Sequence, residues 1–203
     1  MEDSEKILGL AKEKFMQAGF YRTSMDELAR DLSMSKKTIY KYFESKEKLV
    51  EAIVTEIISG ISQKMEQEIL GEGNAVEKII GMLLIIGTNV KQVGGERWLT
   101  DMKLHAPAVW KKVEEFRSKK LNANLKRIIK QGIEEGYFEN LPIEIVLPVF
   151  ISSVNGVVNP DFLIHNKFSF NQALEVTFSI LINGILTDKG RKLLNKTKNR
   201  TDQ

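Results

Sequence analysis

Apolar residues recur every three or four positions along almost the whole chain, and no stretch sustains the two-residue alternation that a half-buried strand needs. An all-α fold is expected. Ile7, Leu10, Ala11, Phe15 and Ala18 share one face of a first helix over about 4–18, which Gly19 can close in a left-handed conformation. Thr23 or Ser24 caps a short second helix carrying Leu28, Ala29 and Leu32. Ser35 caps a third that ends near Phe43, and Ser45 caps a fourth. The fourth keeps an apolar stripe from Leu49 to Ile69 until Gly71 and Gly73 break it, so it is long enough to bridge two modules. Further helices are predicted over 75–92, 96–104, 107–135, 142–158 and 171–187, punctuated by Gly94, Gly95, Pro107, Gly136, Pro142 and Pro160.

The stretch 141–164 has only Glu144 and Asp161 as charges, yet its three prolines argue against a membrane span. A buried helix, in a core or a subunit interface, is expected there. On it Ile145, Val149, Ser152, Ser153 and Gly156, and on the last predicted helix Leu174, Phe178, Leu181, Ile182 and Ile185, form apolar faces with small residues.

Composition narrows the function classes. With no cysteine among 203 residues, disulfides, thiolate metal sites and cysteine nucleophiles are excluded together. The acidic start, Met1 to Glu5, runs straight into a helical pattern rather than a targeting peptide, so a cytoplasmic protein is expected. A net charge of +3 is too small to name a partner, but its distribution is uneven. Residues 35–48 hold five lysines against Glu44 and Glu47, and residues 189–203 hold six basic residues against Asp202. The first patch lies inside an ordered pattern. The second reads as a frayed, solvated end.

Residues 24–43, SMDELARDLSMSKKTIYKYF, read as two short helices joined by a three-residue turn. The small Ala29 permits close approach of the second helix, and Met34, Leu28, Leu32, Ile39 and Phe43 would fill the angle between them. The opposite arc of the second helix then carries Lys37, Thr38 and Lys41, flanked by Tyr40 and Tyr42, with Lys36 beside Ser35 in its first turn. In a major groove such a face offers lysine to guanine or phosphate, and threonine and tyrosine to phosphate or a thymine methyl. Lys46, in the first turn of the next helix, would clamp a phosphate.

Residues 7–54 resemble the DNA-binding module of the TetR family, on the strength of the string Thr38, Ile39, Tyr40, Lys41, Tyr42, Phe43, Glu44, Ser45, Lys46, Glu47, Lys48, Leu49. The resemblance implies a three-helix DNA-binding domain over 1–46 and a larger helical ligand-binding and dimerisation domain over 47–203. It implies double-stranded DNA contacts at Thr23, Thr38, Tyr40 and Lys46, to which the helix face and its caps add Ser24, Ser35, Lys36, Lys37, Lys41 and Tyr42 as candidates. It also implies a homodimer formed by the last two long helices, a palindromic operator, and repression relieved by a small hydrophobic inducer. Two departures stand out: Ser33 occupies a turn position where the family usually has glycine, which suggests either a slightly strained left-handed turn or an altered one, and Lys37 stands where a small residue is frequent, which suggests an unusual operator.

Met82, Leu83, Ile86, Trp98, Met102, Trp110, Phe116 and Phe150 could line an apolar ligand cavity, although such a set at helical spacing also serves as core packing. Asn89 and His105 could orient a polar group. No cofactor or metal is expected, since His105 and His165 lack ligand spacing and no phosphate-cradling glycine loop occurs; for the same reason no catalytic residues are expected. The alternative reading is an architectural or weakly specific DNA-binding protein, held to any duplex by the basic tail as much as by residues 36–46.

Overall fold

The computed structural model describes residues 2–92 and 95–201. The break expected at Gly94 and the last two residues of the basic tail lie outside them. The described chain is helical, as the apolar periodicity predicts, and among the described residues there is no strand, only an isolated bridge between Phe138 and Leu186.

Four helices build the N-terminal part: α1 (Glu2–Ala18), α2 (Met25–Asp31), α3 (Lys36–Tyr42) and α4 (Lys46–Leu70). Ser24, Ser35 and Ser45 each cap a helix by accepting the backbone N–H three residues on, from Glu27, Thr38 and Lys48 at 3.0, 3.0 and 3.1 Å. Each cap removes one orphan donor, worth about 1 kcal/mol. Between the two candidates before α2, Ser24 is the cap. Ile7, Ala11 and Phe15 of α1, Leu28 of α2, Ile39 of α3, and Leu49 and Ile53 of α4 close a core from which water is excluded.

The stripe on α4 continues past this core and carries the chain into a second helical layer: α5 (Ala75–Gln92), α6 (Gly95–His105), α7 (Pro107–Phe116), α8 (Asn122–Glu134), α9 (Ile143–Val157), α10 (Pro160–Asn166), α11 (Phe170–Asn183) and α12 (Asp188–Thr201). Helix α4 packs on α5 and α7, and α9 packs on α11. Glu51 of α4 is held between Lys48, at 2.9 Å, and Lys112 of α7. These two lysines pull its carboxyl from 4.5 down to about 2. A depressed folded-state pKa contributes stability that is complete above the unfolded value and lost as pH falls through the folded one. Glu51→Gln should therefore narrow the stability difference between pH 5 and pH 2 measured by urea melts, leaving the melts of variant and parent closest at the acid end.

Three segments differ from the periodic reading. The helix expected over 107–135 is interrupted by a π-helical segment, Arg117–Leu121, whose wider turns shift the register between α7 and α8. The helix expected over 142–158 is α9, but a further helix that the pattern did not indicate, α10, follows it at a 54° bend where Asn159 caps α10 and Pro160 occupies its first turn. Among the described residues no single helix is long and apolar enough to cross a membrane. The basic tail is an anchored helix rather than a frayed end. The Thr187 hydroxyl donates to the carbonyls of Gly136 and Tyr137, Lys189 lies 4.4 Å from the Tyr137 ring centroid, and Leu194 is buried.

The apolar faces also divide differently from expectation. On α9, Ile145, Val149, Ser152 and Gly156 are exposed, while Ser153 is half-buried. On α11, Leu174, Phe178 and Ile182 point into the core of the same chain, as does Ile185 just beyond it. The residues left outside are Val176 and Ile180, 59% and 68% exposed, with Leu181 half-buried.

Candidate nucleic-acid interface and the cavity behind it

Helix α2 ends in two reciprocal bonds: the Ser33 N–H reaches the Arg30 carbonyl at 3.0 Å and the Met34 N–H reaches Ala29 at 2.9 Å. This closure requires a left-handed residue at the first position past the cap. Ser33 adopts it, at φ +53°. The strain expected from a side chain at this turn is therefore present, and Ser33→Gly should stabilise the protein by about 1 kcal/mol, the left-handed penalty less the added chain entropy of glycine. Paired thermal and urea unfolding of the two proteins measures it. A stability loss would mean that the Ser33 side chain contributes more than its backbone costs.

The turn sets α3 across α2 with Ile39 and Phe43 buried. Lys36, Lys37, Tyr40, Lys41 and Tyr42 are then exposed and Thr38 is half-buried. These residues do not enter the interface on equal terms. Lys36 is 2.7 Å from Asp26 of α2, which raises its pKa, so any contact to an outside anion must displace an internal one. The Tyr42 hydroxyl donates to Asp3 of α1 at 3.4 Å. Ser24 and Ser35 use their hydroxyls as caps, and that of Ser35 also lies 2.8 Å from the Thr38 hydroxyl. Among the described residues Lys37 and Lys41 make no ion pair.

Two of the sequence candidates lie elsewhere. Thr23 is 1% exposed and its hydroxyl donates to the Gly19 carbonyl, so its side chain holds the α1–α2 turn from inside rather than facing DNA. Lys46 is half-buried and donates to the Tyr21 carbonyl at 2.9 Å, with the Phe20 and Tyr21 rings 5.7 and 5.9 Å away. Burial lowers its pKa, against the pull of Asp101. In this geometry Lys46 fastens the α1–α2 turn. Arg22, in the turn before α2, is exposed.

The α1–α2 turn is held from behind by α6. Asp101 accepts the Tyr21 N–H at 3.2 Å, and the His105 ring stacks on Tyr21 with centroids 3.8 Å apart. Trp98 packs against Phe15 and Phe20 at 6.0 and 5.8 Å. Gly19 fits here for two reasons: its φ is +84°, and an added Cβ would stand 2.7 Å from the Asp101 carboxylate. None of these long-range partners follows from periodicity, which places residues on faces but does not pair the faces.

Helix α6 also lines a cavity of about 790 Å³, within the usual range for small-molecule sites. Met82, Ile86, Trp98, Met102, Trp110, Phe116 and Phe150 all border it, together with Ile57 and Ile61 of α4 and Phe178 of α11. Leu83 does not; it packs on the core, off the cavity wall. Asn89 borders the cavity, but its amide donates to the Ile85 carbonyl of its own helix. His105 faces the turn rather than the cavity. Among the described residues no cluster of three histidines or carboxylates could hold a metal.

Comparison with known proteins locates this architecture. Residues 7–53 match the model of the bacterial regulatory proteins of the tetR family. Across 91% of the chain and 96% of the relative, the sequence is 28% identical to YvaF, an HTH-type transcriptional regulator of Bacillus subtilis. It is 22% identical to the fatty acid metabolism regulator protein of the same organism, covering 89% of the chain and 94% of that protein. A transcriptional regulator from Cytophaga hutchinsonii superposes with a TM-score of 0.70 over 90% of this chain and 98% of its own, at 18% identity, and so shares the fold.

Proposed function

The chain belongs to the TetR family of transcriptional regulators and binds DNA, and from that premise we propose that it is a repressor released from a palindromic operator by a small hydrophobic ligand. The observation that carries this reading is the double duty of α6. Trp98 and Met102 border the cavity, while Asp101 and His105, on the same helix, grip the turn that precedes the DNA-binding helices. A ligand that wedges Trp98 or Met102 aside moves a helix whose other face holds Tyr21. Residues 1–46 then act as the DNA-binding domain, and residues 47–203 sense the ligand and dimerise.

In a two-fold dimer the two α3 helices must stand about 34 Å apart to enter successive major grooves. Because a core accommodates a ligand by switching between packings rather than stretching, a small shift of α6 is sufficient to spoil that spacing. The exposed faces of α9 and α11 support dimerisation, and the aromatic and methionine side chains on the cavity border support a hydrophobic ligand. The protein would work in the cytoplasm, where its operator is.

Selection of bound duplexes from random DNA tests the proposal. A palindrome whose half-sites lie about one helical turn apart is expected, bound at least about a thousandfold more tightly than unrelated duplex. Equal recovery of all sequences would instead indicate an architectural protein.

A further inference from the structure

The cavity border also carries charged side chains: Lys111, Glu114 and Glu115 are exposed, whereas Arg117, which opens the π-helical segment, is drawn partly out of water. Its Nη2 donates to the Asn155 side-chain oxygen at 3.2 Å and to the Val158 carbonyl at 3.3 Å. Both acceptors are neutral. Among the described residues no carboxylate lies within ion-pair distance of it; Glu114, one turn earlier and exposed, acts on it only through space. Burial accordingly lowers its pKa, yet a guanidinium stays charged at any pH a protein survives.

Three facts converge on this residue. A charge drawn partly out of water without a counterion is costly to keep, and a mutation to a neutral residue would remove that cost. Five N–H donors are present and the two protein acceptors share one nitrogen, which leaves Nε and Nη1 without a protein acceptor among the described residues. The π turn that begins at Arg117 sets its register apart from that of α7, and such turns are frequent at functional sites. Lys103, also on the cavity border, is by contrast paired with Asp161.

We propose that Arg117 receives the anionic head of the ligand, and that the ligand is an apolar chain ending in a free carboxylate. The tail lies among Trp98, Met102, Trp110 and Phe150, and the two carboxylate oxygens take the open donors of the guanidinium fork. This assignment rests on the reading of the cavity as the ligand site and names the ligand class.

Trp98 and Trp110 border the cavity, so tryptophan fluorescence reports its occupancy. The full-length protein is titrated with octanoic, dodecanoic and hexadecanoic acids and with the matching alcohols, below their aggregation limits, alongside Arg117→Gln and Arg117→Lys. At least one acid is expected to bind about tenfold or more tightly than its alcohol, since a charge-assisted fork holds the carboxylate and has no counterpart for the hydroxyl. Arg117→Gln should bring that acid down to the level of the alcohol, and Arg117→Lys should keep part of the preference. Circular dichroism and melting of each variant establish that it is folded.

Equal binding of acid and alcohol by the parent, an undiminished preference in Arg117→Gln, or no binding of any of the six compounds overturns the proposal. Release of operator DNA is measured separately. An acid that binds through Arg117 but leaves DNA binding unchanged would uphold the assignment of Arg117 and refute the induction mechanism.

Discussion

Lys37→Ala should weaken binding to the selected operator by at least about tenfold while changing affinity for unrelated duplex by no more than about threefold. The residue sits in the first turn of α3, the part of a recognition helix that commonly reaches base edges, and among the described residues it has no ion pair to give up. A good contact to a base edge is worth about 1–3 kcal/mol, which is about five- to a hundredfold, and a symmetric dimer loses it twice. Lys36, its neighbour, should matter less. Its contact to DNA must first displace Asp26, and an exposed, solvent-screened pair of this kind yields little when it is exchanged for another.

The comparison is made by fluorescence anisotropy on the selected and a scrambled duplex, at two salt concentrations. A base contact lowers affinity for the selected site and leaves the salt slope nearly intact. A phosphate contact lowers both affinities together and reduces the slope by about 1 per contact. The second pattern would move sequence reading away from Lys37, to Tyr40, Lys41 or Thr38. Asp26→Asn supplies a complementary check, because freeing Lys36 should raise affinity for both duplexes alike.

The difference between Lys36 and Lys37 also marks how far residue order informs the site. Helix positions, the caps Ser35 and Ser45 and the buried pair Ile39 and Phe43 arise from interactions within about four residues and were legible in the chain, whereas Ser24 and the left-handed Ser33 were each legible only as one of two alternatives. Asp26 with Lys36 and Asp3 with Tyr42 join different helices, and Asp101 with Tyr21 joins α6 to the α1–α2 turn. Which helices meet is decided by packing, so the inward turn of Thr23 and the tethering of Lys46 were not legible. The cavity follows the same division: seven of the eight candidate wall residues border it, because aromatic and methionine positions on inner faces converge there. Arg117 was hidden, since an arginine in a polar helical stretch looks solvated until a π turn redirects it.

The same limit misplaced half of the expected dimer face, and its correction leads to the largest effect. Ile180→Asp should yield a folded monomer that binds the operator at least about a hundredfold more weakly. The side chain is 68% exposed, and with Val176 on α11 and Ile145 and Val149 on α9 it forms an apolar surface that the chain itself does not cover. In a two-fold interface each residue meets its own copy or a near neighbour of it, so one substitution sets two aspartates into an apolar contact. Like charges desolvated together cost several kcal/mol, more than a dimer held by this face can absorb. A monomer contacts one half-site and loses the second recognition helix altogether.

Ile182→Asp, two positions on, provides the contrast. Ile182 is 4% exposed in the core between α11 and its neighbours, where an unpaired carboxylate has no solvent, and this variant should fail to fold. Sedimentation and circular dichroism separate the cases: Ile180→Asp keeps its helicity and halves its mass, whereas Ile182→Asp loses its helicity. If Ile180→Asp remains a dimer with full operator affinity, the copies meet elsewhere, and the exposed row on α9 and α11 must be covered by something other than a second chain.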